Sequence, residues 1–389
     1  MKWFLSQLGR REHYRLAVEL HQARQLGALC TDLWAPWAAA LPRPLRPTKW
    51  AQRYRAELAG APVFAEPWLN VLRAQAAGGD GFDRWVVQGE RFGAFAAEVF
   101  RRRGLSAEDA VLGYTCGNLE QLRLAREVGA RAMHVQVDPG LAWYDTRTAA
   151  HAAHPRSGPP PPRPTAAFRA RIQEEMALAD CLIVHSPHTL RSLQAAGVDV
   201  SRGVVVPPAF VPAAPGLART LRPGRPLRVL FVGNINLAKG FHVLAEALRD
   251  LGPDAVLTAV GGVQLDRGYL GSIAPEAEFT GHVSPAEVTR RMAQADVLVF
   301  PTLSDGFGLV QLEAMAQGLP VIATSACGEV VREGVDGFVV PPGDAAALAD
   351  RLRRLRREPD LHAAMSRAAL VRATEFGPAR HLEGLMSRA

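Results

Sequence analysis

Two glycine-containing turns in the second half of the chain carry residues that suit an anionic ligand. The first, residues 233–240, follows an apolar strand pattern and precedes a helical one. Gly233 permits a tight turn, and a helix N-terminus offers free N–H groups and the positive end of a dipole. Lys239 adds a charge, and Asn234 lies beside the glycine. The pattern predicts phosphate binding; an ordinary strand-to-helix turn with a surface lysine is the alternative.

The second turn, residues 304–313, also follows a predicted strand and carries two acids with seven residues between them, Asp305 and Glu313. Gly306 and Gly308 flank an aromatic residue, which lets the chain turn before a helix. Glu313 falls on the first helical turns, where its carboxylate can accept hydrogen bonds from ribose hydroxyls. The amides expected to face an anion are those of Phe307, Gly308, Leu309 and Val310. A helix-capping aspartate and a dipole-favoured glutamate are the alternative.

The first half offers candidates on one predicted strand, residues 131–137. Alternation along a strand places His134, Gln136 and Asp138 on one face. Asp138 is the favoured catalytic candidate because ligands of α/β proteins bind at the carboxyl ends of strands, and His134 is the second. For both residues, a satisfied polar group inside a packed strand is the alternative.

Strands alternate with helices through almost the whole chain, which predicts an α/β fold with parallel sheets and right-handed crossovers. In the first half the expected strands are residues 2–6, 28–33, 110–114, 131–137, 181–185 and 204–206, and the expected helices are residues 11–24, 119–128, 166–179 and one capped by Ser186. In the second half the expected strands are residues 227–232, 255–260, 278–280, 297–300, 320–323 and 338–340, and the expected helices are residues 240–251, 285–294, 309–317 and 345–357.

Two proline-rich segments interrupt this alternation. Residues 155–164 include four consecutive prolines and are predicted to form an extended surface loop. Residues 207–226 contain six prolines and little aliphatic periodicity, which indicates a linker. The predicted organisation is a first domain at residues 1–210, a linker at 211–226, a second domain at 227–375, and a C-terminal helix at 376–389 that packs back on the first domain.

Length and composition are typical of a globular protein with two cores: 389 residues, 48% of them apolar and 21% charged. The formal net charge of +7 favours anionic partners, although a genome that prefers arginine codons explains it equally well. Nucleic-acid binding has only this charge in its favour and is not expected. The four cysteines form no CxxC pair, so no metal site is expected.

Residues 304–320 resemble the E-x7-E signature of glycosyltransferase family 4, usually written EGFGLxxLEAMAxGxP. Asp305 stands at the first acid and Glu313 at the second. The turn at 233–240 is similar to the family's GRxxxxKG loop, with Asn234 in place of the arginine. Residues 326–329, 336–338 and 341–344 extend the resemblance through the second half, and residues 9–25 and 169–194 continue it more weakly into the first.

The resemblance implies a GT-B architecture, in which two Rossmann-like domains face a cleft. The second domain would hold a nucleoside diphosphate sugar (a UDP- or GDP-sugar) and the first a saccharide or lipid-linked acceptor. The family retains anomeric configuration, needs no cofactor or metal, and serves in polysaccharide and glycoconjugate synthesis. The resemblance implies that Lys239 and the helix amides bind the diphosphate, that Glu313 binds the ribose, and that Asp305 faces the reacting sugar. The main chain around His282 and Val283 would contact the base, and Gly233, Asn234 and Gly261 would line the cleft. Gly9 and Arg10 would line the acceptor side.

Two departures from the family pattern concern the donor site. Asn234 removes one diphosphate contact, for which Arg267 is a candidate replacement, and Asp305 is one methylene shorter than glutamate. These changes keep two alternatives open: a GT-B sugar-nucleotide epimerase and a non-catalytic sugar-nucleotide-binding protein. A Rossmann dehydrogenase fits poorly, because no G-x-G-x-x-G follows the first strand.

A cytoplasmic location is expected, since the chain shows neither a run of about 20 apolar residues nor a signal-peptide pattern. A peripheral contact with the inner face of the membrane is a further option, through Trp34, Trp37 and the basic residues 43–49. A packed apolar loop is the favoured interpretation of these residues.

Overall fold

The chain folds into two parallel sheets of seven and six strands with helices around them. A computed structural model describes residues 1–9, 14–41, 50, 52–67, 81–212, 216–221 and 224–387. Arg10 and residues 43–49 therefore lie outside the described residues. The expected α/β fold with two parallel sheets is confirmed.

The first sheet has the strand order β3-β2-β1-β4-β5-β6-β7. Its strands are β1 Trp3–Gln7, β2 Leu26–Thr31, β3 Val63–Ala65, β4 Ala110–Tyr114, β5 Arg131–Gln136, β6 Cys181–Val184 and β7 Gly203–Val205. The helices of this half are α1 Arg15–Gln22, α2 Pro36–Ala40, α3 Gly81–Arg102, α4 Leu119–Val128, α5 Leu141–Ala153, α6 Ala166–Leu178 and α7 Pro187–Ala195. Strands β1, β2 and β4 are buried at every residue, as expected for a sheet covered on both faces.

The second sheet has the order β10-β9-β8-β11-β12-β13. Its strands are β8 Leu227–Val232, β9 Ala255–Val260, β10 Glu278–Gly281, β11 Val297–Phe300, β12 Val321–Thr324 and β13 Gly337–Val340. The helices are α8 Phe241–Leu251, α9 Arg267–Ile273, α10 Pro285–Gln294, α11 Val310–Ala316, α12 Ala345–Arg357, α13 Pro359–Thr374 and α14 Pro378–Met386. The strand order reverses between β8 and β11, and ligands of open α/β sheets bind beside such a reversal.

The proline-rich segments are more closely packed than predicted. Pro155–Ser157 forms a single 3₁₀ turn, so the expectation of a wholly extended loop is wrong for these residues. The carbonyl of Ser157 accepts a hydrogen bond of 2.7 Å from the amide of Asp266 in the second domain. In the linker, the guanidinium of Arg219 donates to the main-chain carbonyls of Met292 and Ala295 at 2.7 and 2.8 Å. Both segments are thus anchored by polar contacts to the second domain.

Helix α14 lies against the first domain. Leu385 is buried in the hydrophobic cluster formed by β1, α1 and their neighbours. The ring of His381 forms a hydrogen bond of 2.7 Å with the carbonyl of Pro207. The chain therefore crosses from the second domain back to the first at its C-terminal helix.

The tryptophans considered for a surface role differ in environment. Trp34 packs edge-on against Tyr14 and Tyr54, with ring centroids 5.4 and 5.3 Å away. Trp37 is 53% exposed and contacts Trp50, so the packed-loop interpretation is wrong for Trp37. In the described ranges, none of the helices combines the length and the apolar character needed to cross a bilayer.

Candidate functional site

The glycine turns at the ends of β8 and β9 pack directly on each other. Gly233 and Gly261 have φ of 146° and 138°, which side-chain-bearing residues rarely adopt. A Cβ on Gly261 would lie 2.7 Å from the carbonyl carbon of Gly233. Asn234, directly after the first glycine, is exposed. These two turns leave main chain, rather than side chains, at this part of the cleft.

The turn at 233–240 also rests on the segment that follows β11. The carbonyl of Ala238 accepts hydrogen bonds from the amide of Leu303 at 2.9 Å and the hydroxyl of Thr302 at 3.2 Å. A Cβ on Gly240 would lie 2.6 Å from the carbonyl carbon of Pro301. The two turns singled out in the sequence are therefore one structural unit at the strand-order reversal.

Lys239 and Asp305 meet at the centre of this unit. The ammonium of Lys239 forms an ion pair with the Asp305 carboxylate, and the two side chains are 27% and 16% exposed. The amide of Lys239 donates to the side chain of Asn236 at 2.9 Å, which fixes the backbone from which the lysine extends. The structure thus brings together the lysine and the first acid, 66 residues apart in the chain.

The segment from Gly306 to Val310 contributes main chain to the cleft. Gly308 has φ of 83°, and a Cβ there would lie 2.5 Å from the ring of Phe300. Phe307 is buried beside Phe376, so its side chain is part of the core, and its amide donates to Asp305 at 3.4 Å. Leu309 is the N-cap of α11, and Val310 is its first residue.

Glu313 lies in the first turn of α11 and is exposed to the cleft. Its carboxylate has no hydrogen bond or ion pair with any described residue. The protein around it partly desolvates the group and raises its pKa. A carboxylate held without a partner, at the edge of a turn that suits phosphate, is placed to accept hydroxyl hydrogens from a ligand.

The base-side candidates follow β10, next to β9 in the sheet. His282 is exposed and packs over Gly262, where a Cβ would lie 2.5 Å from its Nε2 atom. Val283 is half-buried against the apolar cluster beneath. Together with the turns after β9, β8 and β11, these residues form one continuous strip along the carboxyl edge of the second sheet. Arg267 is the exposed first residue of α9.

The first domain presents Gly9 at the end of β1. The amide of Gly9 donates to Asp32 at 2.9 Å, and Asp32 also forms an ion pair with Arg53. The sequence reasoning missed both Asp32 and Arg53, although Asp32 directly follows a buried strand. Glu66, after the next strand in the sheet, pairs in the same way with Arg91 at 2.6 Å.

The candidates on β5 separate into a buried residue and a residue at the cleft. His134 has no exposed surface, and burial lowers its pKa to about 4, which leaves the ring neutral. Its Nε2 atom lies 3.5 Å from the side-chain oxygen of Gln136. Gln136 donates in turn to Asp138 at 2.7 Å, and the amide of Gly140 donates to the same carboxylate oxygen at 2.9 Å. Among the described residues, His134 is thus linked to Asp138 through Gln136.

Contacts between the domains converge on the second turn. The hydroxyl of Thr189 donates to the carbonyl of Gly306 at 3.3 Å, and the ring of His188 lies 3.2 Å from the hydroxyl of Ser304. A Cβ on Gly306 would overlap the main chain of Val137. The sequence reasoning identified only the capping role of the preceding residues and missed His188 and Thr189.

A metal site is not apparent, since the described residues include no group of three or more His, Cys, Asp or Glu side chains placed to hold an ion. Cys116 lies in the β4–α4 turn, where burial raises the pKa of its thiol to about 12. The described candidates for chemistry are therefore carboxylates, one lysine and main-chain amides.

Parts of the chain are similar in sequence to known proteins. Residues 226–358 match the family model described as glycosyl transferases group 1. Over 195 residues the chain is 36% identical to a D-inositol 3-phosphate glycosyltransferase of Arthrobacter sp. (strain FB24), covering 46% of this chain and 45% of that protein. Over 177 residues it is 36% identical to a phosphatidyl-myo-inositol mannosyltransferase of Mycobacterium leprae, covering 43% and 46%. The chain thus spans about half the length of these relatives.

Solved structures resemble the whole chain. Anabaena Alr3699/HepE in complex with UDP has a TM-score of 0.62 and 15% identity, covering 100% of this chain and 99% of that one. Sucrose-phosphate synthase from Thermosynechococcus elongatus has a TM-score of 0.67 and 21% identity, covering 100% and 98%. At sequence identities of 15% and 21%, this structural similarity establishes the fold alone. Residues 226–358 are therefore similar to the domain of group 1 glycosyltransferases, and the whole chain shares the two-domain fold of these solved structures.

Proposed function

We propose that the chain transfers a sugar from a nucleoside diphosphate sugar to a saccharide or lipid-linked acceptor, with retention of anomeric configuration. The observation that carries this proposal is the Lys239–Asp305 pair, set between phosphate-suited main chain and the unpartnered Glu313 at the carboxyl edge of the second sheet. The cation Lys239 suits the diphosphate of such a donor, the anion Asp305 suits its sugar, and the exposed acceptor Glu313 suits its ribose.

The ion pair suggests how the donor engages the site. A diphosphate competes with Asp305 for the ammonium of Lys239, because both are anionic. When Lys239 turns to the diphosphate, the Asp305 carboxylate becomes free to accept a hydroxyl hydrogen of the donor sugar. As the glycosidic bond breaks, the leaving diphosphate gains negative charge, which Lys239 and the amides of Gly308, Leu309 and Val310 stabilise.

The acceptor is assigned to the first domain, between Gly9 and Asp138. Asp138 stands at the carboxyl end of β5, and its backbone lies against Gly306 of the donor segment. The HepE complex with UDP supports a uridine nucleotide as the first donor to test, with GDP-sugars second. The name of the Mycobacterium leprae relative, a phosphatidyl-myo-inositol mannosyltransferase, supports testing a lipid acceptor beside saccharides. The proposed setting is polysaccharide or glycoconjugate synthesis.

A transfer assay with UDP-, GDP- and ADP-sugars tests the proposal. Transfer to an added saccharide or lipid-linked acceptor supports it. An isomerised donor formed without acceptor would instead indicate a sugar-nucleotide epimerase, and tight donor binding without turnover would indicate a non-catalytic binder. Either of these two results refutes the proposal.

The donor site itself is tested by Glu313→Ala. Loss of charge-assisted hydrogen bonds to the ribose should weaken donor binding about 10- to 100-fold in a calorimetric titration. Glu276→Ala is the matched control, because Glu276 is an exposed acid before β10, at the opposite edge of the same sheet. Unchanged donor affinity in Glu313→Ala would show that the ribose is held elsewhere.

A further inference from the structure

The charged side chains of the donor unit leave little net positive charge for a diphosphate. Lys239 is already paired with Asp305, and Glu313 adds a second carboxylate nearby. Asn234, beside the first glycine, is uncharged. A diphosphate bound there needs a further cation, because several negative charges on the ligand would otherwise face a site with no net positive charge.

Helix α5 of the first domain runs along the part of the second domain that contains the turn at 233–240. Its beginning follows Asp138, whose Cα would lie 3.2 Å from a Cβ on Gly306. Beyond its end, the ring of His154 lies 4.5 Å from the ring of His242, in the first turn of α8. The turn at 233–240 leads directly into α8 and rests on the segment before Gly306, so it lies between these two contact points.

One face of α5 is turned towards the second domain. Ala150 is buried in the hydrophobic cluster of that domain, whereas Tyr144 packs with Phe82 in the first domain. Arg147 lies three residues before Ala150 and three after Tyr144, so its side chain projects between the two packed faces. Its guanidinium stacks over the ring of Trp143 at 4.6 Å.

Arg147 is a half-buried cation without a counter-charge. Among the residues that the structure describes, it has no hydrogen bond or ion pair, and its recorded side-chain interaction is the stacking on Trp143. Burial lowers its pKa, so the surrounding protein does not stabilise the charge. An arginine placed in this way is prepared to pair with an anion that enters the cleft, since a guanidinium binds phosphate through a planar fork of donors.

We propose that Arg147 binds the diphosphate of the nucleotide donor from the first domain, and so supplies the cation that the glycine turn lacks. The inference rests on the proposed function for the class of donor, but not on the identity of the sugar or the acceptor. Because Arg147 and Lys239 belong to different domains, a donor held by both would bridge the two domains.

Calorimetric titration with UDP, GDP, uridine and guanosine tests the proposal. In Arg147→Gln, affinity for the nucleoside diphosphate that wild type prefers should fall about 10- to 100-fold, while affinity for the nucleoside stays unchanged. Arg131→Gln is the matched control, since Arg131 is an exposed arginine at the opposite end of β5. Adding Asn234→Arg to Arg147→Gln should recover at least part of the lost affinity, because it places a cation on the glycine turn.

The outcomes separate this inference from the proposed function. If wild type binds neither nucleotide, the proposed donor class fails. If wild type binds UDP or GDP and Arg147→Gln binds the same nucleotide equally well, the inference is overturned. Arg147 would then have another role, such as binding an anionic group of the acceptor. Arg147→Lys keeps the charge and should retain more diphosphate affinity than Arg147→Gln; equal losses in both variants would also overturn it. Circular dichroism of each variant confirms that the fold is intact.

Discussion

Gly306→Ala is expected to separate the two domains at the donor segment. A Cβ at this position would lie 2.9 Å from the carbonyl carbon of Val137 and 3.2 Å from the Cα of Asp138, both rigid backbone atoms. Ordinary contacts between carbon atoms are about 3.5–4.0 Å, and the Cβ overlaps the Val137 carbonyl oxygen still more closely, so the domains must move apart by at least about 1 Å. The same movement stretches the hydrogen bond of 3.3 Å from Thr189 to the Gly306 carbonyl.

The expected result is a larger defect in turnover than in donor binding. A misplacement of about 1 Å between reacting groups costs about 100-fold in rate, whereas Arg147 is the one proposed donor contact that lies in the first domain. Single-turnover transfer should therefore slow about 100-fold, while donor affinity by calorimetry should fall less than it does in Arg147→Gln. Gly271→Ala is the control, because a Cβ on Gly271 meets nothing within 4 Å. Turnover at the wild-type rate in Gly306→Ala would refute the claim that this contact sets the geometry of the cleft.

Two further predictions concern stability. His134 is neutral when buried, with a pKa of about 4, so its contribution to stability is present above the unfolded-state pKa of about 6.5 and is lost as pH falls towards 4. Urea unfolding between pH 4 and 7 should show that the free energy of unfolding of wild type falls by about 3 kcal/mol more than that of His134→Gln as the pH is lowered. The same pH dependence of the unfolding free energy in both proteins would contradict this. Arg219→Ala removes hydrogen bonds to three main-chain carbonyls and should destabilise the protein by about 3 kcal/mol in urea unfolding. Arg225→Ala, at an exposed linker position, should change stability little, and equal effects of the two variants would contradict the anchoring role.

The elements of the second domain could be predicted closely from the sequence. Strands β8, β9 and β11 and helices α10 and α12 have the predicted bounds, because uninterrupted apolar runs and helical periodicity are local properties of the chain. The helices of the first domain were predicted less completely from the sequence. Helices α2 and α5 were not anticipated, and α5 divides its apolar contacts between two domains, which weakens the single stripe that marks an amphipathic helix.

The sequence by itself identified the candidate residues of the donor site: a lysine after a glycine turn, and two acids around a second turn. Only the tertiary structure decided how they combine. Lys239 and Asp305 meet because β8 and β11 are neighbours in the sheet. His134 lies on a strand inside the first sheet, between β4 and β6, and Arg147 lies between the domains because α5 packs on both. Periodicity reports which face of an element is apolar, but strand order and domain contacts fix which elements face each other, and these depend on pairings between residues far apart in the chain.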